Sequence, residues 1–141
     1  MEQGREAAVR EVTTRRFPRR LVSRLDESGI LRIRAGDEAA HRFLGIWVVV
    51  VNGRVFVRPW NDEQTGWRQA FLADPGHRGA IRLEKDGPDI PVRARPARGE
   101  RLYDAVDAAY AAKYVTNASQ KWVRGFRTPQ RRKTTTELLP R

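Results

Sequence analysis

The sequence predicts an α+β fold, mainly antiparallel β, closed as a small six-stranded barrel with two or three helices. Three observations carry that expectation. First, the apolar run Ile46–Val51 ends at Asn52-Gly53 and is answered by the alternating segment Arg54–Trp60. Asn-Gly between two such runs is the strongest two-residue hairpin signal, because a type I′ turn needs positive φ at both central positions. Second, further short segments with strand character recur at 80–84, 90–96 and 134–139, separated by turn residues. Third, strands that pair in sequence order around one small core close most simply as an antiparallel barrel with helices over its openings.

The elements are justified in order along the chain. Residues 1–20 are polar, arginine-rich and interrupted by Pro18, so they are expected to form a basic arm or a short helix, leaving 21–141 as a single domain. Leu21, Val22 and Leu25 fall at helical spacing before Gly29. Ile30–Arg34 alternates apolar and basic residues, as a half-buried strand does. Gly36-Asp37-Glu38 reads as a turn, and His41–Val51 as one buried central strand. In its partner, period-two alternation sets Val55 and Val57 against Arg54, Phe56, Arg58 and Trp60. Asn61–Gly66 is a polar loop, and Trp67–Ala73 a short helix stopped by Asp74-Pro75-Gly76. The strands at 80–84 and 90–96 flank a Lys85–Pro88 turn. Glu100–Tyr114 carries a stripe of Leu102, Val106, Ala109, Tyr110 and Lys113, with acid at its start and base at its end. Asn117–Gln120 reads as a capping box for a helix to about Phe126, closed by Pro129, and Thr134–Leu139 as a last β-branched strand ending at Pro140.

Composition narrows the function classes. The 141 residues suffice for one core without metal or disulfide support. There is no cysteine, which removes disulfides, thiol nucleophiles and cysteine-ligated metals. His41 and His77 have no ligand spacing, so no metal site is expected. The longest apolar run is six residues, Ile46–Val51, too short to span a bilayer. No apolar segment follows the charged N-terminus, so a cytoplasmic location is expected. Net charge is +11, concentrated at the ends: six basic against three acidic groups in 1–20, and seven against one in 119–141. Basic ends attract nucleic acid, nucleotide phosphates or anionic surfaces. Arginine outnumbers lysine 24 to 4.

No nucleophile elbow, phosphate-binding glycine loop or paired-acid constellation is present. Asp104 and Asp107, three apart on the predicted helix, read as part of a solvated face. An enzyme can do without such groups when a cofactor carries the reaction and the protein supplies binding, orientation and dryness. That arrangement needs cations for phosphate and flat apolar walls for a ring. Arg58, Trp60, Trp67 and Arg68 supply those types within eleven residues. The same residues also suit a plainer role, with tryptophans as core or interface anchors and arginines in solvent.

The order of hairpin, VFVRPW, GWRQAFLADPG, VDAAYAAKY and TTTELLP resembles a bacterial family of uncharacterised proteins carrying a domain of unknown function, over roughly 21–140. That family is in turn similar to the deazaflavin-dependent nitroreductases and the flavin-binding split β-barrel group, which includes the flavin reductases and pyridoxamine-phosphate oxidases. The resemblance implies a split barrel holding deazaflavin or FMN, often as a homodimer. It implies phosphate contacts from Arg58 and Arg68, with His41 and Arg42 beside them, and Trp60 and Trp67 flanking the ring. Pro59 stands where the relatives keep a small hydroxyl residue, and it offers neither a side-chain donor nor an N–H.

Three functions follow as expectations. The first is an oxidoreductase that uses reduced deazaflavin or flavin on a small electrophilic substrate. The second is a non-catalytic barrel that binds a small ligand. The third is a nucleic-acid or anionic-surface binder acting through Lys121–Lys133, whose charge would in the first reading steer an anionic cofactor tail.

Overall fold

The computed structural model describes residues 15–36 and 42–141. Among them are seven strands and five α-helices. Helix α1 (Arg19–Glu27) leads into β1 (Leu31–Ala35), β2 (Leu44–Ile46), β3 (Val49–Val51) and β4 (Arg54–Val57). Helix α2 (Trp67–Ala73) precedes β5 (Arg78–Arg82) and β6 (Ile90–Pro96). Helix α3 (Glu100–Lys113), a 3₁₀ turn at Asn117–Ser119, α4 (Gln120–Phe126), α5 (Pro129–Arg132) and β7 (Thr136–Pro140) complete the chain. Residues 1–14 and 37–41, including most of the expected arm, Asp37 and Glu38 of the expected turn, and His41, lie outside the described residues.

One antiparallel sheet runs in the order β2-β1-β5-β6-β7-β4-β3. Its two edges, β2 and β3, are consecutive in the chain, with only Trp47 and Val48 between them. Three Cα steps of 3.8 Å cannot reach across a flat seven-stranded sheet. The sheet therefore curls until its edges approach, which makes the α+β fold barrel-like.

The expected single strand at 41–51 is thus corrected to two, and the strand count to seven. The backbone of Val48 shows why the break is tolerated. Its N–H donates to Tyr114 Oη at 3.0 Å, and its carbonyl accepts from Lys113 Nζ at 2.8 Å. Side chains from α3 replace the missing strand partners, so no buried backbone group is stranded. Lys113 Nζ also donates to the Leu25 carbonyl, and burial lowers its pKa against a raising effect from Asp26.

Two apolar clusters lie on opposite faces of the sheet. The inner one gathers Leu25, Leu31, Ile33, Val55, Val57, Ile81, Val92 and Leu138, plugged at one end by Trp67 and Phe71 of α2. Gly79 makes that plug possible, since a Cβ there would sit 2.4 Å from the Phe71 ring and 2.3 Å from the Arg34 carbonyl oxygen. The outer cluster joins Val49 and Phe56 to Val106, Tyr110, Tyr114, Val123 and Phe126 from α3 and its sequel. Strand β4 therefore divides its faces as alternation requires, but both faces are buried. The hairpin turn has Asn52 at φ 52° and Gly53 at φ 75°, both positive as expected.

Several boundaries move. Thr116 rather than Asn117 caps the turn into α4, by accepting from the Ser119 N–H. Pro129 does not close a helix but opens α5 at its first turn, where a missing N–H costs nothing, and Thr128 caps it. Among the described residues no helix is long and apolar enough to cross a membrane.

Candidate functional site

Helix α3 sets the geometry around the seam of the barrel. Its Tyr110 and its C-cap residue Tyr114, one turn apart, both aim at the sheet. Tyr110 Oη accepts the Arg58 N–H at 3.0 Å, where β4 ends. Tyr114 Oη accepts the Val48 N–H and donates to the Gly29 carbonyl at 2.8 Å. Burial pushes the Tyr114 phenol up to about 12 and that of Tyr110 higher still, despite the nearby Arg58 cation, so both stay protonated. Trp47, at the break between β2 and β3, stacks on Tyr114 with centroids 3.9 Å apart and planes 4° from parallel.

From this base the chain builds a cleft of about 560 Å³. One wall is β2 with Trp47, a second is the 58–67 loop with Trp60 and Trp67, and a third is α4 with Trp122 and Phe126. All four tryptophans of the sequence line it. Trp60 lies 3.6 Å from Trp122 and 4.9 Å from Phe126 between ring centroids. Asn61, Glu63 and Thr65 supply polar groups along the rim. Beyond the Trp60–Trp122 pair lies a shallower hollow of about 260 Å³ with Lys121 and Arg131 on its walls.

The structure brings Arg58, Trp60 and Trp67 to the one cleft. Their settings differ. Trp60 is 39% exposed and Trp67 only 8%, so the first is a lid edge and the second a core plug that shows one side. Arg58 is 1% exposed. Its guanidinium donates to Thr135 Oγ1 at 2.8 Å, Asp107 Oδ1 at 2.5 Å, the Phe126 carbonyl at 2.9 Å and the Tyr103 carbonyl at 3.2 Å. Those bonds fasten α3, α4 and β7 to the end of β4. The Arg58 donors point into the protein, not toward a ligand phosphate.

Arg68 donates to Asp62 Oδ2 at 2.7 Å, sharing that oxygen with Gln69, and does not line the cleft. Arg42 is exposed and also outside the cleft lining. The expected solvated pair on α3 separates. Asp104 is exposed, but the Asp107 side chain is 13% exposed and bridges Arg58 to Arg132. Arg132 also meets Glu100 at 3.2 Å and Asp104, and although desolvation opposes it, these three carboxylates raise its pKa.

The sequence reading missed Trp47, Trp122 and Phe126 as wall residues. Trp122 sits in a segment that reads first as a basic run, and its aromatic spacing with Phe126, one helical turn apart, is the signal that was there to use.

The model of a family described as uncharacterised proteins conserved in bacteria, DUF2255, matches residues 21–138. The chain belongs to that family. The matched span begins within α1 and ends in β7, so it takes in the curled sheet up to Leu138 and every cleft wall. A search of functionally described proteins gives no match.

Proposed function

We propose that the cleft binds a planar ring with an anionic tail, of the deazaflavin or FMN type, and that the protein uses it to reduce a small electrophilic substrate. The observation that carries this reading is the gathering of all four tryptophans around one cleft, with a basic hollow on the other side of the Trp60–Trp122 pair. Aromatic walls suit a flat ring by stacking, and the low-dielectric site strengthens nearby charges.

The residues fit the ring better than they fit the phosphate contacts first expected. With Arg58 and Arg68 engaged inside the protein, and Glu63 repelling anions from its side, the tail is drawn past Trp60 toward Lys121 and Arg131. When bound, a group of this type supplies the hydride chemistry itself. The chain holds the ring against Trp60 and Trp122, keeps water from its buried side and steers its charge.

Titration with FMN and with a deazaflavin, followed by tryptophan fluorescence, tests the reading. Saturable quenching in the micromolar range is expected, weakened about tenfold or more by Trp60→Ala, in line with the worth of a stacked aromatic. No saturable binding of either compound would remove the proposal.

A second reading has its own support. Among the residues that line the cleft, the charged side chains are Arg58, already engaged, and Glu63. A barrel that sequesters a flat ligand without turnover needs no more. Anaerobic assay with the reduced cofactor separates the two: binding without substrate reduction selects the second.

A further inference from the structure

We propose that the outer face of β1, β5 and β6 binds the phosphate backbone of duplex nucleic acid. Alternation and register put six arginines on that face: Arg32 and Arg34 from β1, Arg78 and Arg82 from β5, Arg93 and Arg95 from β6. The face belongs to neither apolar cluster. Neighbouring strands stand about 4.8 Å apart and alternate residues about 6.6 Å apart, so the guanidiniums form a compact two-dimensional array.

Two of its pairings set arginine against arginine, with carboxylates offsetting part of the repulsion. Arg32 stands directly opposite Arg82, and Arg78 directly opposite Arg93. Like charges facing each other across an antiparallel ladder destabilise it. Carboxylates orient part of the array: Asp89 accepts from Arg34 at 3.2 Å and Arg82 at 2.6 Å, Asp74 from Arg78 at 3.1 Å, and Glu137 from Arg95 at 2.6 Å. These bonds use some of each guanidinium's five donors and fix its direction, which leaves the remaining N–H groups for phosphate oxygens.

The apolar residues decide which polyanion suits the face. Phe43 is the aromatic ring described there, and the guanidiniums of Arg34 and Arg82 lie 4.5 and 4.1 Å from its centroid, so it is already engaged by cations. The exposed large apolar side chains are elsewhere: Ile30, Leu44, Trp60 and Trp122 line the cleft, and Val115 follows α3. The array thus lacks the stacking platform of a single-strand binder and the apolar wedge that inserts into a bilayer. What remains is sequence-independent contact with a phosphate row.

Fluorescence anisotropy with labelled duplexes of DNA and of RNA, across a salt series, tests this. With four or five phosphates contacted, log affinity should fall against log salt with a slope of about −4. The Arg32→Gln/Arg82→Gln variant, which also gives up the Arg82–Asp89 pair, should reduce that slope by about 2 and weaken binding at least tenfold while still melting cooperatively. Arg32→Gln alone, which breaks no ion pair described for the protein, should change the slope by about 1 and stands in if the double variant fails to fold. The proposal is overturned if the wild-type protein does not bind either duplex at low salt, or if both variants bind as it does. It fails equally if the loss follows Lys121→Gln/Arg124→Gln/Arg127→Gln, on α4 and at its C-cap, instead, or if anionic lipid vesicles bind where duplexes do not.

Discussion

The outer face of the curled sheet has two halves, and arginine behaves oppositely on them. Over β3, β4 and β7 the face is roofed by α3 and α4, and its arginines are structural. Arg58 is buried and ties four segments together, while Arg54 makes a two-point contact with buried Glu137 at 2.9 and 3.0 Å. Over β1, β5 and β6 the roof is missing and the arginines stand half-buried to exposed, two pairs of them facing like charge. The same residue type, at the same alternating spacing, is a rivet on one side and a charged surface on the other. Helical cover decides which.

Removing the rivet should have the largest effect. Arg58→Leu leaves Asp107 partly buried beside Arg132 and removes the guanidinium donors from two carbonyls and from the Thr135 hydroxyl, which keeps only its bond to the Arg132 carbonyl. Breaking such a pair from one side costs about 3–5 kcal/mol, read from urea unfolding. Arg58→Lys should recover only part of this, because an ammonium cannot reproduce a planar fork. A loss below about 1 kcal/mol would show that Arg58 is not structural in this sense.

Glu137→Gln tests the second anchor. Burial pushes this carboxyl up, but hydrogen bonds from Arg54 and Arg95 outweigh it and hold the pKa below its ordinary value of 4.5. A depressed folded-state pKa adds stability that is fully present above that ordinary value and is lost as pH falls through the folded one. Wild-type stability should therefore decline on acidification below about pH 4.5, and the variant, lower by about 2 kcal/mol at neutral pH, should decline less. Parallel acid profiles for the two proteins would contradict this assignment.

Tyr110→Phe is the milder probe of the roofed half. It strips the Arg58 N–H of its acceptor and should cost about 1–2 kcal/mol in thermal or urea unfolding. On the bare half Arg32→Gln should change stability by no more than about 0.5 kcal/mol, with any gain coming from relief of the Arg32–Arg82 repulsion. A large loss there would erase the contrast between the halves.

Much of the fold could be read from residues whose signals are local. The bounds of α2 at 67–73 and of β6 at 90–96, and the positive-φ hairpin, need only turn chemistry and periodicity. The division of β4 into Val55 and Val57 against Phe56 needs only alternation. The break at Trp47-Val48 has no such mark. IWVVVV contains neither Gly nor Pro, and what stops the strand is Tyr114 and Lys113 arriving from 66 and 65 residues away in sequence. Arg58 was singled out, but its burial was missed for the same reason. Its face could be assigned, but not the helix that would later cover it. An arginine at the end of an apolar strand calls for a buried acid, and Asp107, three residues before Tyr110 on the predicted helix, was available to answer it. The cleft was half legible: Trp60 and Trp67 stood out beside the hairpin, whereas Trp47 and Trp122 were concealed by a strand and a charge run.

The two-residue join between β2 and β3 also bears on behaviour in concentrated solution. An open sheet presents two free ladders on which a neighbouring molecule's strand can dock and extend the stack. Here both terminal ladders are three residues long and belong to one continuous segment. An incoming chain finds little length to grip at either end. The stretch IWVVVV, which in a lone hairpin would invite amyloid-like zippering, is instead spent on fastening the sheet to itself.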